Sequence, residues 1–362
     1  MKIAVGMSGG VDSSVTAVLL KQAGHDVIGV TMKIWSGEAI PVSGRHGCYG
    51  PGDAEDIADA VRVARALGIP HHVIDLTQEY RHDVLDYFCD QYLSGRTPNP
   101  CVRCNRLIKF GTLIQKAREN GIEFDCFATG HYARVGYDAN AGRYLLRKAK
   151  DLKKDQSYFL SALSQEQLAL AMFPLGDYTK DEVRQLAQNF RLEVAEKPES
   201  QDFAEGGHLS LLAGKSAPGP ITDKQGNVLG RHRGIQYYTI GQRKGLGVAS
   251  EKRLYVVGID AETNTVIVGE QADVYGTEFT VSDVNWIAVK GIAEPLTAQV
   301  RIRYRHQEAD ATVIPLSGSR VHVRFETPQM AITPGQAAVF YNGDVVVGGG
   351  TIEETGKITR QE

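Results

Sequence analysis

The sequence predicts an α/β protein whose first half is a doubly wound parallel sheet, followed by a small β-rich central domain and a C-terminal β-barrel. Three observations carry that reading. Short apolar runs alternate with helical patterns through the first half, a glycine- and serine-rich turn joins the first strand to the first helix, and beyond about residue 205 turn residues multiply before giving way to alternating strands. The boundaries read as 1–204, 205–275 and 276–362. A chain of 362 residues exceeds one typical core, which agrees with several modules. With 42% hydrophobic and 23% charged residues it is neither disordered, collagenous nor a coiled coil. No apolar run approaches the roughly 20 residues that cross a bilayer, and Met1-Lys2-Ile3-Ala4-Val5 lacks the apolar stretch of a signal peptide. A soluble cytoplasmic protein with no membrane partner is therefore expected. The net charge of −3 argues against polyanion binding by the whole surface and directs attention to local basic patches.

Taken in order, Lys2 to Gly6 reads as a strand and Asp12 to Lys21 as a helix; Asp26 to Met32 and Asp53 to Leu67 repeat the pair, as do His71 to Leu76 and Tyr80 to Leu93. Strand, crossover helix and strand in succession make a parallel sheet, and ligands of such sheets lie beyond the carboxyl ends of the strands. Cys104 to Asn120 reads as a further helix, Asp125 to Thr129 as a strand, and Thr179 to Phe190 as a helix with acidic residues early. The central module is marked by Ala217-Pro218-Gly219-Pro220 and a short strand at Leu254 to Gly258. The barrel is marked by Ala298 to Arg305, Val321 to Phe325 and Ala337 to Tyr341, with Asn342-Gly343 as a hairpin turn.

The turn Gly6-Met7-Ser8-Gly9-Gly10-Val11-Asp12-Ser13-Ser14 places backbone N–H groups and a helix N-terminus where an anion can be held. It has no lysine before Ser13, unlike a Walker A loop, and lacks the Gly-x-Gly-x-x-Gly spacing of a dinucleotide fold. A tight turn capped by Asp12 or Ser13 is the plain alternative. Ser8-Gly9-Gly10-Val11-Asp12-Ser13 resembles the PP-loop of the ATP pyrophosphatase family, whose fold is adenine nucleotide α-hydrolase-like and whose members cleave ATP to AMP and pyrophosphate. The resemblance implies ATP and Mg2+ at Gly6 to Ser13, with Asp12 helping to hold magnesium and pyrophosphate, and with Met32 and Gly130 on the adenine side.

Five cysteines, an odd and small number, speak against a disulfide framework. Two lie in Gly95-Arg96-Thr97-Pro98-Asn99-Pro100-Cys101-Val102-Arg103-Cys104-Asn105, which opens a helix. A position near a helix N-terminus, next to Arg103, is expected to lower the pKa of Cys104 and favour the nucleophilic thiolate, while the prolines stiffen the approach. A structural zinc half-site, with Cys48 as a third ligand, is the alternative. Cys89 and Cys126 read as buried core thiols.

This loop and the PP-loop together resemble the tRNA 2-thiouridylase family, which replaces the C2 oxygen of the wobble uridine by sulfur. Further matching segments are Ala128 to Arg134, Lys154 to Leu160, Tyr238 to Gly247 and Pro334-Gly335-Gln336. The resemblance covers nearly the whole chain and implies adenylation of the uridine oxygen followed by sulfur transfer, with Cys104 as the catalytic nucleophile. Two departures stand out. The family's commonest loop is Asn-Pro-Asp-x-x-Cys-Asn, so Cys101 replaces an aspartate. Its persulfide-bearing cysteine is matched by Ala204 in Ser200-Gln201-Asp202-Phe203-Ala204. Either Cys101 stands in for that thiol, or sulfur is carried otherwise, for instance on an iron–sulfur cluster held by Cys101, Cys104 and Cys48.

Two stretches are basic with aromatics interleaved: Arg231 to Lys244, and Arg301-Ile302-Arg303-Tyr304-Arg305-His306. Strand alternation in the second predicts a solvent-facing row of Arg301, Arg303 and Arg305, with Ile302 and Tyr304 on the other face. The resemblance implies tRNA contacts at Asn99, Pro100, Cys101, His131, Lys154, Asp155, Gln156, Arg303, Tyr304 and Gln336. The partners it implies are tRNA and a sulfur donor, whether a cysteine desulfurase, a sulfur-carrier protein or sulfide, and no DNA. The competing readings are a noncatalytic metal- or cluster-binding RNA module and a PP-loop ligase acting on a small metabolite.

Overall fold

The computed structural model describes residues 1–37, 47–198, 202–204, 211–212 and 217–355. Ser200 and Gln201, of the segment Ser200 to Ala204, lie outside the described residues. The chain divides into two compact units. One comprises Met1–Leu85, Pro100–Ser210 and Asp344–Val346; the other comprises Asp86–Asn99, Leu211–Gly343 and Val347–Glu362.

In the first unit, strands β1 (Lys2–Gly6), β2 (Asp26–Lys33) and β4 (His71–Asp75) alternate with helices α1 (Val11–Gln22) and α2 (Asp53–Leu67), and a short strand β3 (Gly47–Tyr49) precedes α2. Helix α3 (Thr77–Tyr80), a π-helical stretch Arg81–Asp86 and α4 (Tyr87–Leu93) follow; α4 belongs to the second unit. Next come α5 (Pro100–Arg103), a π-helix Cys104–Thr112 and α6 (Leu113–Glu119), then β5 (Cys126–Thr129) and the hairpin β6 (Ala133–Asp138) and β7 (Arg143–Lys148). The unit continues with α7 (Ser157–Leu160), α8 (Gln165–Leu170), β8 (Ala171–Met172), α9 (Lys180–Asn189) and β9 (Asp202–Ala204).

The five-stranded sheet runs β4-β2-β1-β5-β8 with every pairing parallel. Central β1 is covered on both faces, so it reads as an unbroken apolar run, with Ile3, Ala4 and Val5 fully buried. Helix α1 is similarly enclosed and packs Val15 and Val18 beside Val183 and Ala187 of α9. Helix α2 is amphipathic, carries Asp53, Glu55 and Asp56 in its first turn, and ends on Gly68 in the left-handed region. Thr179 and Glu182 close α9 with a reciprocal capping box. The cysteine helix starts at Pro100 rather than at Cys104, since proline tolerates a first helical turn where its missing N–H is not needed. Cys104 thus sits beyond the first turn.

The second unit contains a four-stranded sheet of β10 (Gly219–Thr222), β11 (Val228–His232), β12 (Tyr255–Asp260) and β13 (Thr265–Gly269), closed over Ile221, Val256, Val266 and Val268. Its C-terminal part is a barrel of β14 (Tyr275–Trp286), β15 (Leu296–Arg301), β16 (Ala309–Pro315), β17 (Val321–Met330), β18 (Ala337–Asn342) and β19 (Val345–Thr355). These neighbour one another in the order β14-β17-β16-β15-β18-β19, and pairing of β14 with β19 closes the ring around Phe279, Val300, Val323 and Phe340. Gly343, at φ 61°, turns β18 into β19.

The predicted arginine row does not form. Strand β15 stops at Arg301, whose guanidinium pairs with Glu308 at 2.7 Å, and Ile302 is fully buried. The chain then turns, with the His306 N–H donating to the Arg303 carbonyl at 3.0 Å. Arg303 donates to the Ile240 carbonyl at 2.9 Å and to the Thr333 hydroxyl, leaving Arg305 as the exposed member of the three. Because Arg303 and Tyr304 stand in a turn, strand alternation does not set their directions. Among the described residues no helix is long and apolar enough to cross a membrane.

Candidate active site

A cavity of about 290 Å³ opens at the carboxyl ends of β1, β2 and β5, within the first unit. One wall is the loop between β1 and α1, through Gly6, Met7, Ser8 and residues Gly10 to Ser13; Thr31 and Met32 lie in the last residues of β2, and Thr129 ends β5 with Gly130 and His131 after it. Cys48, Lys109, Gln156 and Lys197 contribute the remaining polar lining, beside Asp53 and Asp56.

Two glycines make this loop possible. Gly9 has φ 68°, and a Cβ there would stand 2.2 Å from the Asp56 carbonyl oxygen; a Cβ on Gly130 would stand 2.8 Å from backbone atoms of Asp12 and Ser13. The Ser13 hydroxyl donates to the Gly10 carbonyl at 3.1 Å and accepts the Ser8 N–H at 3.2 Å, and the Ser14 hydroxyl donates to Gly10 at 2.9 Å. Gly10, at the N-cap, brings no side-chain acceptor to the first N–H groups of α1, so the helix start is suited to an anion.

Asp12 is held differently from the magnesium ligand expected. Its carboxylate accepts from Lys180 Nζ at 2.8 and 2.9 Å and from the Tyr132 hydroxyl at 2.8 Å, and Lys180 is 6% exposed. Sequence reasoning missed Lys180 and Tyr132. The signal was present: a lysine at the first position of a helix opposes the dipole, and it sits there beside Asp181 and Glu182. Lys197 ties the same loop to α2, donating to the Gly9 carbonyl at 3.2 Å, to Asp56 at 2.6 Å and to Asp59. Burial works against its charge, but the two carboxylates raise its pKa and keep it cationic. Asp53 accepts the Ile34 and Trp35 N–H groups at 3.2 Å each, and burial still pushes its carboxyl up.

The thiols depart from expectation. Cys104 is 7% exposed, and burial pushes its pKa to about 11 despite the opposing charge of Lys109. Burial, then the neighbouring thiols, push Cys101 to about 12. The helix N-terminus fails to lower Cys104 because its influence fades beyond the first turn. Arg103 fails too, for its guanidinium donates to the Asp83 carbonyl. Lys109 is the cation of this group. A π-helix bonds residues five apart, so the stretch from Cys104 to Thr112 brings Lys109 round to the face of Cys104. Cys89 is buried, with its thiol near the Leu211 carbonyl, and half-buried Cys126 packs against the sheet core. Among the described residues no group of three or more His, Cys, Asp or Glu side chains is gathered so as to hold a metal ion. The zinc half-site and the cluster on Cys101, Cys104 and Cys48 therefore do not fit the donors as placed.

His131 accompanies the cavity, with Nδ1 2.7 Å from the Thr129 hydroxyl and its ring 6.3 and 6.0 Å from those of Phe110 and Phe173. Burial, with the charge of Lys109, holds it well below the usual histidine range and therefore neutral. Gln156 accepts the Tyr132 N–H at 2.9 Å. Asp155, expected to contact tRNA, is instead 2% exposed, and its carboxylate accepts the Ala149 N–H at 3.1 Å, the Ser157 N–H at 3.2 Å and the Ser157 hydroxyl at 2.9 Å, so it braces a turn rather than facing RNA. Lys154 beside it is half-buried. In the second unit, Gln336 donates to the Thr97 and Pro98 carbonyls at 2.8 and 3.1 Å and so fixes the approach to half-buried Asn99. His232, inside the first basic stretch, is 2% exposed and bonds the Asn264 carbonyl, while Arg231 and Arg233 remain exposed.

The sequence matches a family described as tRNA methyl transferase HUP domain over residues 1–204, a tRNA methyl transferase PRC-barrel domain over 211–270 and an aminomethyltransferase beta-barrel domain over 276–352. It is 47% identical over 366 residues to the tRNA-specific 2-thiouridylase MnmA of Pelotomaculum thermopropionicum, covering 99% of each chain. It is 50% identical over 368 residues to tRNA-specific 2-thiouridylase MnmA 1 of Caldanaerobacter subterraneus subsp. tengcongensis, covering 98% of each. Against tRNA-specific 2-thiouridylase MnmA of Moorella thermoacetica the identity is 49% over 361 residues, 98% of this chain and 100% of the relative.

Three outcomes follow from this geometry. Lys180→Met leaves the Asp12 carboxylate without its cation and is expected to cost about 3 kcal/mol of stability, read by denaturant unfolding, as for other broken buried pairs. Asp155→Ala strands three donors and is expected to cost about 2 kcal/mol in the same measurement. Alkylation of Cys104 by iodoacetamide, followed by peptide mass spectrometry, should still be accelerating at pH 10, since its thiolate fraction keeps growing up to a pKa of about 11; a plateau near pH 9 contradicts the raised value.

Proposed function

Since the chain belongs to the tRNA-specific 2-thiouridylase family, we propose that it is an ATP-dependent tRNA sulfurtransferase that replaces the C2 oxygen of the wobble uridine by sulfur in the cytoplasm. The observation that carries this reading is the shared cavity: the anion-binding turn forms one wall, and a thiol with a lysine, Cys48 and Lys109, forms another.

ATP lies with its phosphates at Gly10 to Ser13 and its adenine toward Met32 and Gly130. The uridine O2 attacks the α-phosphorus, a new O–P bond forms, and the bond to pyrophosphate breaks. The leaving diphosphate stays on the N–H groups of α1, and Lys197 and Lys109 supply positive charge in the same cavity. Sulfur then attacks C2, the C2–O bond breaks, and AMP departs, a far better leaving group than the original oxygen. Neutral His131 can either donate or accept a hydrogen bond with the uracil edge. Magnesium arrives on the phosphates of ATP as part of the substrate. Asp12, bound by Lys180 and Tyr132, acts by fixing the loop.

The wobble base must leave the anticodon stack to enter the cavity. We assign the facing of that nucleotide to Asn99, Pro100 and Cys101, with Lys154, Gln156, Arg303, Tyr304 and Gln336 as further tRNA contacts; Gln336 acts through the backbone it holds. Sulfur comes from a persulfide-bearing protein or from sulfide. The test combines full-length protein, ATP, a sulfur donor and transcribed tRNA. Expected are 2-thiouridine in the nucleoside digest and pyrophosphate release that requires a wobble uridine. Equal release without tRNA points to a small-metabolite ligase, and no release with any tRNA points to a noncatalytic RNA-binding module; either result overturns the reading.

A further inference from the structure

Three of the five cysteines share one electrostatic neighbourhood, in which Cys48 bears on Cys101 and Cys104 and all three bear on Lys109. They differ in access. Cys48 is exposed and lines the cavity together with Ser8, Asp12 and Lys109, whereas Cys101 and Cys104 do not reach its wall and Cys104 is buried. Their backbone support differs as well. Cys48 is the middle residue of β3, which pairs in parallel with β9 through Gly47 with Asp202 and Tyr49 with Ala204. Tyr49 is 2% exposed and stacks on Tyr80, with ring centroids 5.6 Å apart and planes 12° apart. Neighbouring residues of a strand point to opposite faces, so anchoring Tyr49 in the interior aims Cys48 outward, toward the nucleotide cavity. Tyr49 is registered against Ala204, so Cys48 lies one residue away on the adjoining strand.

Resting on the sulfurtransferase reading, we propose that Cys48 is the sulfur-carrying thiol of this chain, presenting a persulfide in the nucleotide cavity, and that Cys104 resolves it. The balance is complete with two co-reactants, a persulfide donor and a dithiol reductant. Cys48 takes a sulfane sulfur from the donor, which is released as a thiol. The terminal sulfur attacks C2 of the adenylated uridine, the C2–S bond forms, the C2–O bond breaks and AMP leaves. Cys104, as thiolate, then attacks the Cys48 sulfur; the S–S bond to the base breaks, its electron pair stays on the sulfur at C2, and 2-thiouridine departs from a Cys48–Cys104 disulfide. The dithiol reduces that disulfide to two thiols. Lys109, on the face of Cys104 and in the cavity wall, provides the positive charge beside both thiolates.

Sodium tetrasulfide serves as the probe for loading. After brief exposure, alkylation and digestion of the full-length protein, the added sulfur is expected on the Cys48 peptide; its appearance only on the peptide bearing Cys101 and Cys104 overturns the proposal. In turnover, Cys48→Ala and Cys48→Ser are expected to lower thiolation by about a hundred-fold and tRNA-dependent pyrophosphate release by less than about three-fold, separating sulfur delivery from adenylation. Undiminished thiolation overturns the assignment, and so does equal loss of both readouts, which would make Cys48 a shaper of the nucleotide cavity. Cys104→Ala should accumulate tRNA attached to Cys48 that a dithiol releases; its absence removes Cys104 as the resolving thiol. Wild-type protein that loads sulfur on Cys48 yet thiolates no tRNA would bring down the tRNA reading while leaving the loading site intact.

Discussion

A polyphosphate can be gripped by backbone N–H groups only where nothing stands between the ligand and the start of a helix, and the first unit is arranged around that requirement. Gly9 and Gly130 occupy positions where a Cβ would collide with main chain, and the loop they permit lies on a sheet whose central strand is covered on both faces. Charged side chains then hold it from two directions: Lys197 links the Gly9 carbonyl to α2, and Lys180 fastens Asp12 to α9. An unpaired carboxylate at a phosphate site would repel the nucleotide. Pairing Asp12 with a nearly buried lysine removes that repulsion while fixing the first turn of α1, which is how an acidic residue and an anion can share one helix terminus.

The parallel sheet was legible because strands buried on both faces appear as short apolar runs between amphipathic helices, as in Lys2–Gly6 and Asp26–Lys33. The hairpin β6–β7 escaped notice, since Arg143–Lys148 mixes charged and apolar residues in a pattern that no single period explains. The arginine row failed for a related reason. Alternation is a property of a strand, and nothing local in Arg301 to Arg305 announces that pairing with β18 ends at Arg301, where Ile302 enters the core and the chain turns.

Among the candidate site residues, those named for backbone reasons were the easiest to find, because glycine and helix-start chemistry are local. Side-chain electrostatics were harder. The neighbours of Cys104 in sequence, the helix start and Arg103, point to a lowered pKa, whereas its state is governed by burial and by Lys109, five residues on, brought close by π-helical winding. The family resemblance implies an RNA contact at Asp155, but Ala149 and Ser157 claim its oxygens in the interior, the capping role that is its plain alternative. At both positions the tertiary environment decides.

Placing thiols of such high pKa beside a nucleotide site has a chemical logic. A permanently ionised thiolate in a cavity built for phosphate would oppose ATP and risk attack on the wrong electrophile. Burial keeps Cys101 and Cys104 protonated at rest, and Lys109 lowers the cost of ionising Cys104 when a reaction calls for it. An activated ester of uridine is vulnerable to water, so the sulfur should already be in place when adenylation occurs. Cys48, accessible from the cavity while its strand neighbour Tyr49 is locked in the interior, is the thiol positioned to be loaded beforehand, and buried Cys104 is kept for the disulfide-forming step that ends the cycle.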